Sequence, residues 1–136
     1  MNSFRITSLL LVLMLASCAV LRPTPVMSEN PAVLGLLEQA RADSAENKLQ
    51  SAVAGIERAL RIEPRNPWLW QELAKLHLAQ GDHVQAESLA ARSNSWAGSD
   101  AALRAANWRL IAAARNARGD TDGAQAANTR ASELER

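Results

Sequence analysis

The 136-residue chain has a single cysteine, no tyrosine and one phenylalanine. One thiol forms no intramolecular disulfide, so no covalent cross-link can substitute for a packed core. The two histidines, His77 and His83, are six residues apart on either side of the Gly81-Asp82 break. That is not the i, i+4 spacing with which one helix face binds zinc. His77 is therefore expected to pack rather than to ligate, and neither a metal nor a cofactor is expected. There is no glycine-rich phosphate loop. The serines sit at helix ends or on alanine-rich helices, with no base that the sequence places beside them. Carboxylates such as Glu38, Glu57, Glu72 and Glu87 read as solvated helix faces. Nothing in this inventory asks for an enzyme, although an enzyme without a recognisable motif stands as a remote alternative.

The lone cysteine, Cys18, follows one charged residue, Arg5, and an 11-residue, largely apolar run from Ile6 to Ala16. A basic start and a short apolar segment are the layout of a secretory signal. The uncharged stretch Ile6 to Leu21 is 16 residues, whereas a membrane-spanning helix needs roughly 20. Leu15-Ala16-Ser17-Cys18 resembles the lipobox of bacterial lipoproteins. The resemblance implies diacylglycerol transfer to the Cys18 sulfur, cleavage before Cys18 and acylation of the new amino terminus. Residues 1–17 would then be a signal peptide and the membrane a partner through the Cys18 lipid. Ala19, where an aspartate would suggest inner-membrane retention, favours the outer membrane facing the periplasm by family analogy. Two or three acyl chains suffice for stable anchoring.

Loss of Arg5 leaves 14 basic against 14 acidic side chains, a balance that argues against a polyanion partner, so no nucleic acid is expected. Residues 18–30 contain Pro23 and Pro25 and read as a tether, with Pro31 closing it.

From Pro31 to Arg136 the composition is rich in alanine and leucine and lacks β-branched alternation, so the fold class is all-α. Proline, glycine and capping residues place six helices at roughly 31–45, 48–62, 67–80, 83–95, 99–118 and 121–134. Asp82 and Gln85 have capping-box spacing. The chain also repeats itself. Trp70, Leu73, Ala74, His77, Gly81 and Ala86 recur at the same offsets as Trp108, Ile111, Ala112, Arg115, Gly119 and Ala124. A weaker copy starts at Leu36 and places Asn47 at the turn.

This pattern resembles the tetratricopeptide repeat. The resemblance implies three antiparallel helix hairpins, at about 33–66, 67–98 and 99–136, stacked as a short right-handed superhelix. Trp70 and Leu73 would fill the space between hairpins. The spacing from Gly81 to Gly119 is four residues longer than the preceding one, and the insertion is expected in Ser93 to Ser99. Asn128, in place of a large apolar residue, suggests a last helix that caps the stack.

The resemblance further implies a protein partner, a peptide or helix, held on a concave face lined by the first helix of each hairpin. The corresponding positions are Leu34, Leu37, Arg41 and Ser44, then Trp68, Gln71, Lys75 and Leu78, then Ala106, Arg109 and Ala113. Trp68 and the cations Arg41, Lys75 and Arg109 suggest a partner bearing carboxylates. Leu37, Glu72 and Ala106 stand where the carboxylate-clamp version of the family has its lysine and asparagines, so that mode is not expected. Trp96 is either a lid on the core or a second anchor. An adaptor or assembly factor in a secretion, pilus or cell-wall machine is the expected function. A self-associating scaffold, a homo-oligomer, is the alternative.

Overall fold

A computed structural model describes residues 26–136; Cys18, the expected signal peptide and most of the expected tether lie outside the described residues. Six helices follow one another: α1 (Pro31–Ala45), α2 (Leu49–Ile62), α3 (Pro67–Ala79), α4 (His83–Trp96), α5 (Ala101–Ala117) and α6 (Thr121–Leu134). They pair as three hairpins, α1 with α2, α3 with α4 and α5 with α6, and each hairpin packs on the next. Among the described residues no helix is long and apolar enough to cross a membrane.

Local chemistry sets each helix boundary. Asn30, Asn66, Asp82, Asp100 and Asp120 all accept backbone N–H bonds at helix starts, satisfying donors that have no partner inside the helix. Pro31 and Pro67 occupy the first helical position, where a missing N–H costs nothing. The three intra-hairpin turns end alike. The N–H groups of Lys48, Asp82 and Asp120 donate to the carbonyls of Asp43, His77 and Arg115, at 2.8, 2.9 and 3.0 Å. In front of each donor stands a left-handed residue: Asn47 at φ 60°, Gly81 at 80° and Gly119 at 82°. Asparagine tolerates this region better than most residues, so the degenerate first repeat keeps the turn of the other two.

The four-residue offset is not a loop insertion in Ser93 to Ser99. Both inter-hairpin connections, 63–66 and 97–100, have equal length, but α5 has 17 residues where α3 has 13. The extra residues form one more turn at the start of α5, and Trp108 lies one turn deeper in its helix than Trp70 does. Helix continuation satisfies backbone groups that a longer loop would leave to solvent.

The core is aliphatic and built largely from alanine. Ala52, Ala59, Ala74, Ala90, Ala105 and Ala114 are fully buried, which lets neighbouring helices approach closely. Gly55 belongs to the same logic, since a Cβ there would come within 3.3 Å of the Ala40 Cβ. Larger side chains, Val33, Ile56, Leu69 and Leu103, fill the layers. Leu69, not Trp70, is the residue sealed in the centre. Trp70 is half-buried against the core, its Nε1 donates to the Pro64 carbonyl at 2.9 Å, and the Arg92 guanidinium lies 4.6 Å from its ring centre.

Two polar arrangements tie hairpins together. At the joint between the second and third, Gln71 Nε2 donates to Asn107 Oδ1 at 3.0 Å, and Asn107 Nδ2 donates to Ser93 Oγ at 2.7 Å. Ser93 Oγ in turn donates to the Pro67 carbonyl at 2.7 Å. The second arrangement explains Arg115, which stands where the other repeat has His77. Arg115 Nε donates to Glu87 Oε1 at 2.7 Å, and Arg118 grips the other oxygen of the same carboxylate. Glu87 is thus a tie between α4 and α5 rather than a solvated face.

Candidate partner-binding face

Of the residues read as one groove, Arg41, Ser44 and Lys75 line one depression, Trp68 a second, and Arg109 and Ala113 a third. The first lies between α1, α2 and α3 and has a volume of about 180 Å³. Ala40, Ile56 and Leu76 form its floor, and Arg41, Ser44, Glu72 and Lys75 form its rim. Regular helix spacing brings Glu72 and Lys75 onto one side of α3, three residues apart. Arg41 arrives from the facing surface of α1.

Electrostatics at this rim differ from the expectation of free cations. Glu72 Oε1 lies 3.3 Å from the Arg41 guanidinium and 3.1 Å from Lys75 Nζ. Its side chain is only 15% exposed, against 53% and 46% for the two bases. Glu72 was expected to be solvated; instead it is the inner member of a triad carrying one net positive charge. The i, i+3 relation of Glu72 to Lys75 was visible in the sequence, but the reach of Arg41 across the hairpin joint was not. Both bases are about half exposed, so either can turn toward an incoming carboxylate while the other stays with Glu72.

Trp68 lines a second depression with Val26, Met27, Pro64, Arg65 and Pro67, at the corner between α2 and α3. It shares no wall with the Arg41–Lys75 pocket. Residues of the expected tether are docked at this corner. Buried Ser28 donates through Oγ to Glu63 Oε1 at 2.6 Å, and Asn66 Nδ2 donates to the Met27 carbonyl at 2.7 Å. Arg109 belongs to a third, broad and open hollow of about 690 Å³ between α5 and α6, beside Ala112, Ala113 and Asn128. Its guanidinium is 2.5 Å from Glu135.

Two expected contact residues are corrected. Leu37 is 3% exposed and belongs to the core. Gln71 is also 3% exposed and its amide is used by Asn107. Neither can offer its side chain to a partner: the helix face that meets the neighbouring hairpin is wider than the repeat register suggested. Leu34 is exposed on the first turn of α1, and Leu78 is half-buried. Ala106 is half-buried and Ala113 exposed. His77 is half-buried, packs beside Trp70 and Leu73, and has Nδ1 3.5 Å from Asp82 Oδ2. Trp96, left open between two roles, is 43% exposed with Arg65 5.4 Å from its ring centre. Among the described residues no three His, Cys, Asp or Glu side chains form a metal-binding group.

The stack is similar to domains of known structure. The globular C-terminal domain of LpoP from P. aeruginosa is 43% identical, with a TM-score of 0.75, over 77% of this chain and 99% of that one. The first TPR of Spaghetti (RPAP3), solved bound to an HSP90 peptide, SRMEEVD, is 21% identical, with a TM-score of 0.70, over 82% of this chain and 85% of that one. The second likeness is one of fold. No curated protein sequence matches the chain. Residues 36–107 match the tetratricopeptide repeat. With six helices in three stacked hairpins and that match across more than half its length, the chain belongs to the tetratricopeptide repeat family.

Proposed function

We propose that the chain is a lipid-anchored protein of the bacterial cell envelope whose repeat domain holds a protein partner, as an adaptor or assembly factor. The lipobox-like sequence before Cys18 supports the anchor. The 43% identity to the LpoP C-terminal domain supports an envelope setting, and the peptide-bound Spaghetti repeat shows what this fold can hold. A non-enzymatic role is part of the reading.

The observation that carries it is the pocket between the first two hairpins. Its apolar floor of Ala40, Ile56 and Leu76 accepts a small apolar side chain, and Arg41 and Lys75 stand beside it to meet a carboxylate. Apolar anchors seated beside charge-assisted bonds are the usual energetic centre of such contacts. The partner segment is therefore an aliphatic residue next to an acid, drawn from another envelope protein.

The test is in-cell crosslinking from a photo-reactive residue at Ser44. One recurring envelope protein, lost in the Arg41→Glu, Lys75→Glu double variant, is expected. Crosslinks only between copies of this chain, or a pattern unchanged by charge reversal, would overturn the adaptor reading and favour the scaffold.

A further inference from the structure

Both ends of the helix stack carry charged side chains, but the ends differ in their exposed apolar ones. One end carries the intra-hairpin turns, with Glu46, Lys48, Asp82, Arg118 and Asp120. The other end carries the inter-hairpin connections, the start of α1 and the docked segment from Val26, with Glu29, Glu63, Asp100 and Glu135 among its charged residues. Exposed large apolar side chains are concentrated there. Val26 is 71% exposed, Ile62 46%, Leu34 43% and Trp96 43%, whereas Val84, 61% exposed, stands alone at the turn end. Ile62 and Trp96 are the last residues of α2 and α4, and Leu34 is in the first turn of α1. Trp68 and Trp96 are joined by Arg65, which lines the Trp68 depression and lies over the Trp96 ring. Clustered exposed apolar groups mark an interaction surface, unlike the same groups scattered singly.

We infer that this end of the domain, centred on Trp68, Arg65 and Trp96, rests on the lipid surface to which the chain is anchored. The inference rests on the acylation of Cys18 proposed above. Its occupant follows from where the chain leaves the domain. Hydrogen bonds from Ser28 to Glu63 and from Asn66 to Met27 fix residues 27 and 28 at this corner, so Val26 starts the path to the membrane. Cys18 and Val26 are eight residues apart, which even fully extended is no more than about 28 Å. The apolar end is therefore held next to the bilayer at high effective concentration, while the turn end points away. Tryptophan rings favour the headgroup level, where the indole body is in an apolar layer and the N–H is wet. Arg65 adds a donor for phosphate oxygens between the two rings.

The test uses the full, mature chain purified from membranes and reconstituted in phosphatidylethanolamine and phosphatidylglycerol vesicles, with ordinary or brominated acyl chains. Flotation with the vesicles reports the anchor independently of the docking. In chain that floats, brominated lipid should quench tryptophan emission, and the Trp68→Phe, Trp96→Phe variant, retaining Trp70 and Trp108, should lose much less emission. Circular dichroism of the variant checks that the helices persist. Floating chain with unquenched emission, or equal quenching in the variant, overturns the inference; a partner protein or a second copy as the true occupant would give that result. Chain that fails to float overturns the acylation reading, and the inference falls with it.

Discussion

Asn107 Nδ2 donates to Ser93 Oγ at 2.7 Å, between α5 and α4, and both side chains are fully buried. The same amide nitrogen reaches Asn94 Oδ1 at 3.0 Å, and Asn107 Oδ1 accepts from Gln71. One side chain thus closes the second joint of the stack by satisfying polar groups on two neighbouring helices. In an interior of alanine and leucine, such a network fixes the register between hairpins, because any slip strands its donors.

Asn107→Ala should therefore destabilise the domain more than an alanine-for-asparagine change on the surface. Losing Asn107 leaves Gln71 without its acceptor, at a cost of about 1–3 kcal/mol for each buried group left unsatisfied. Arg109→Ala, two residues away in an exposed pair, should stay within about 0.5 kcal/mol. Urea unfolding of both variants checks the contrast, and equal effects would mean that the buried network is not what joins the hairpins.

The two tryptophans of α3 should separate in the same assay. Trp70 is packed against the core and bonded to Pro64, so Trp70→Ala should cost about 2–3 kcal/mol, below the 3–5 typical of fully buried aromatics. Trp68 lines only the corner depression, and Trp68→Ala should cost less than about 1 kcal/mol. Urea unfolding followed by circular dichroism reads both.

At the first turn, Asn47 occupies the left-handed region that glycine fills in the other two hairpins. Asn47→Gly should leave the melting temperature unchanged or raise it. Asn47→Val should lose about 1–2 kcal/mol, the penalty of placing a β-branched side chain in that conformation. If both substitutions melt alike, the turn does not constrain the hairpin.

Asp43 gives the domain an acid-sensitive contact. Ser51 Oγ donates to Asp43 Oδ2 at 2.6 Å and Gln39 Nε2 to Oδ1 at 3.0 Å, and these bonds hold the carboxyl below its ordinary value of 3.8. The ionised form is therefore favoured in the folded state. Its contribution is complete above the unfolded value and disappears as pH falls through the lower folded one. Wild type and Asp43→Asn should differ most near about pH 7 and converge by about pH 2 in urea midpoint. A difference that grows on acidification would contradict the assignment.

Local chemistry made the secondary structure legible. Asn66-Pro67, Gly81-Asp82 and Gly119-Asp120 act through backbone conformation and hydrogen bonds spanning a few residues, so helix ends follow directly from residue order. The repeat offsets from Trp70 and Trp108 likewise identify three stacked hairpins, because each hairpin must bury one face on its neighbour and similar faces need similar residues at similar intervals. The extra turn of α5 escaped that reading: an insertion shows in the spacing of glycines, but helix or loop depends on whether Leu103 finds a core to enter, and it is 1% exposed.

Site residues depend on contacts between elements far apart in sequence. Leu37 and Gln71 hold groove positions in the repeat register, yet the packing angle of the next hairpin covers them. Glu72 looks solvated along its own helix until Arg41, 31 residues earlier, meets it across the joint. Residue order determined that this protein is a three-hairpin stack with a lipobox-like cysteine ahead of it, since those are patterns of neighbours. Only the tertiary structure decided which cations share a carboxylate and which tryptophan lies beside the tether, because both depend on the distances between helices.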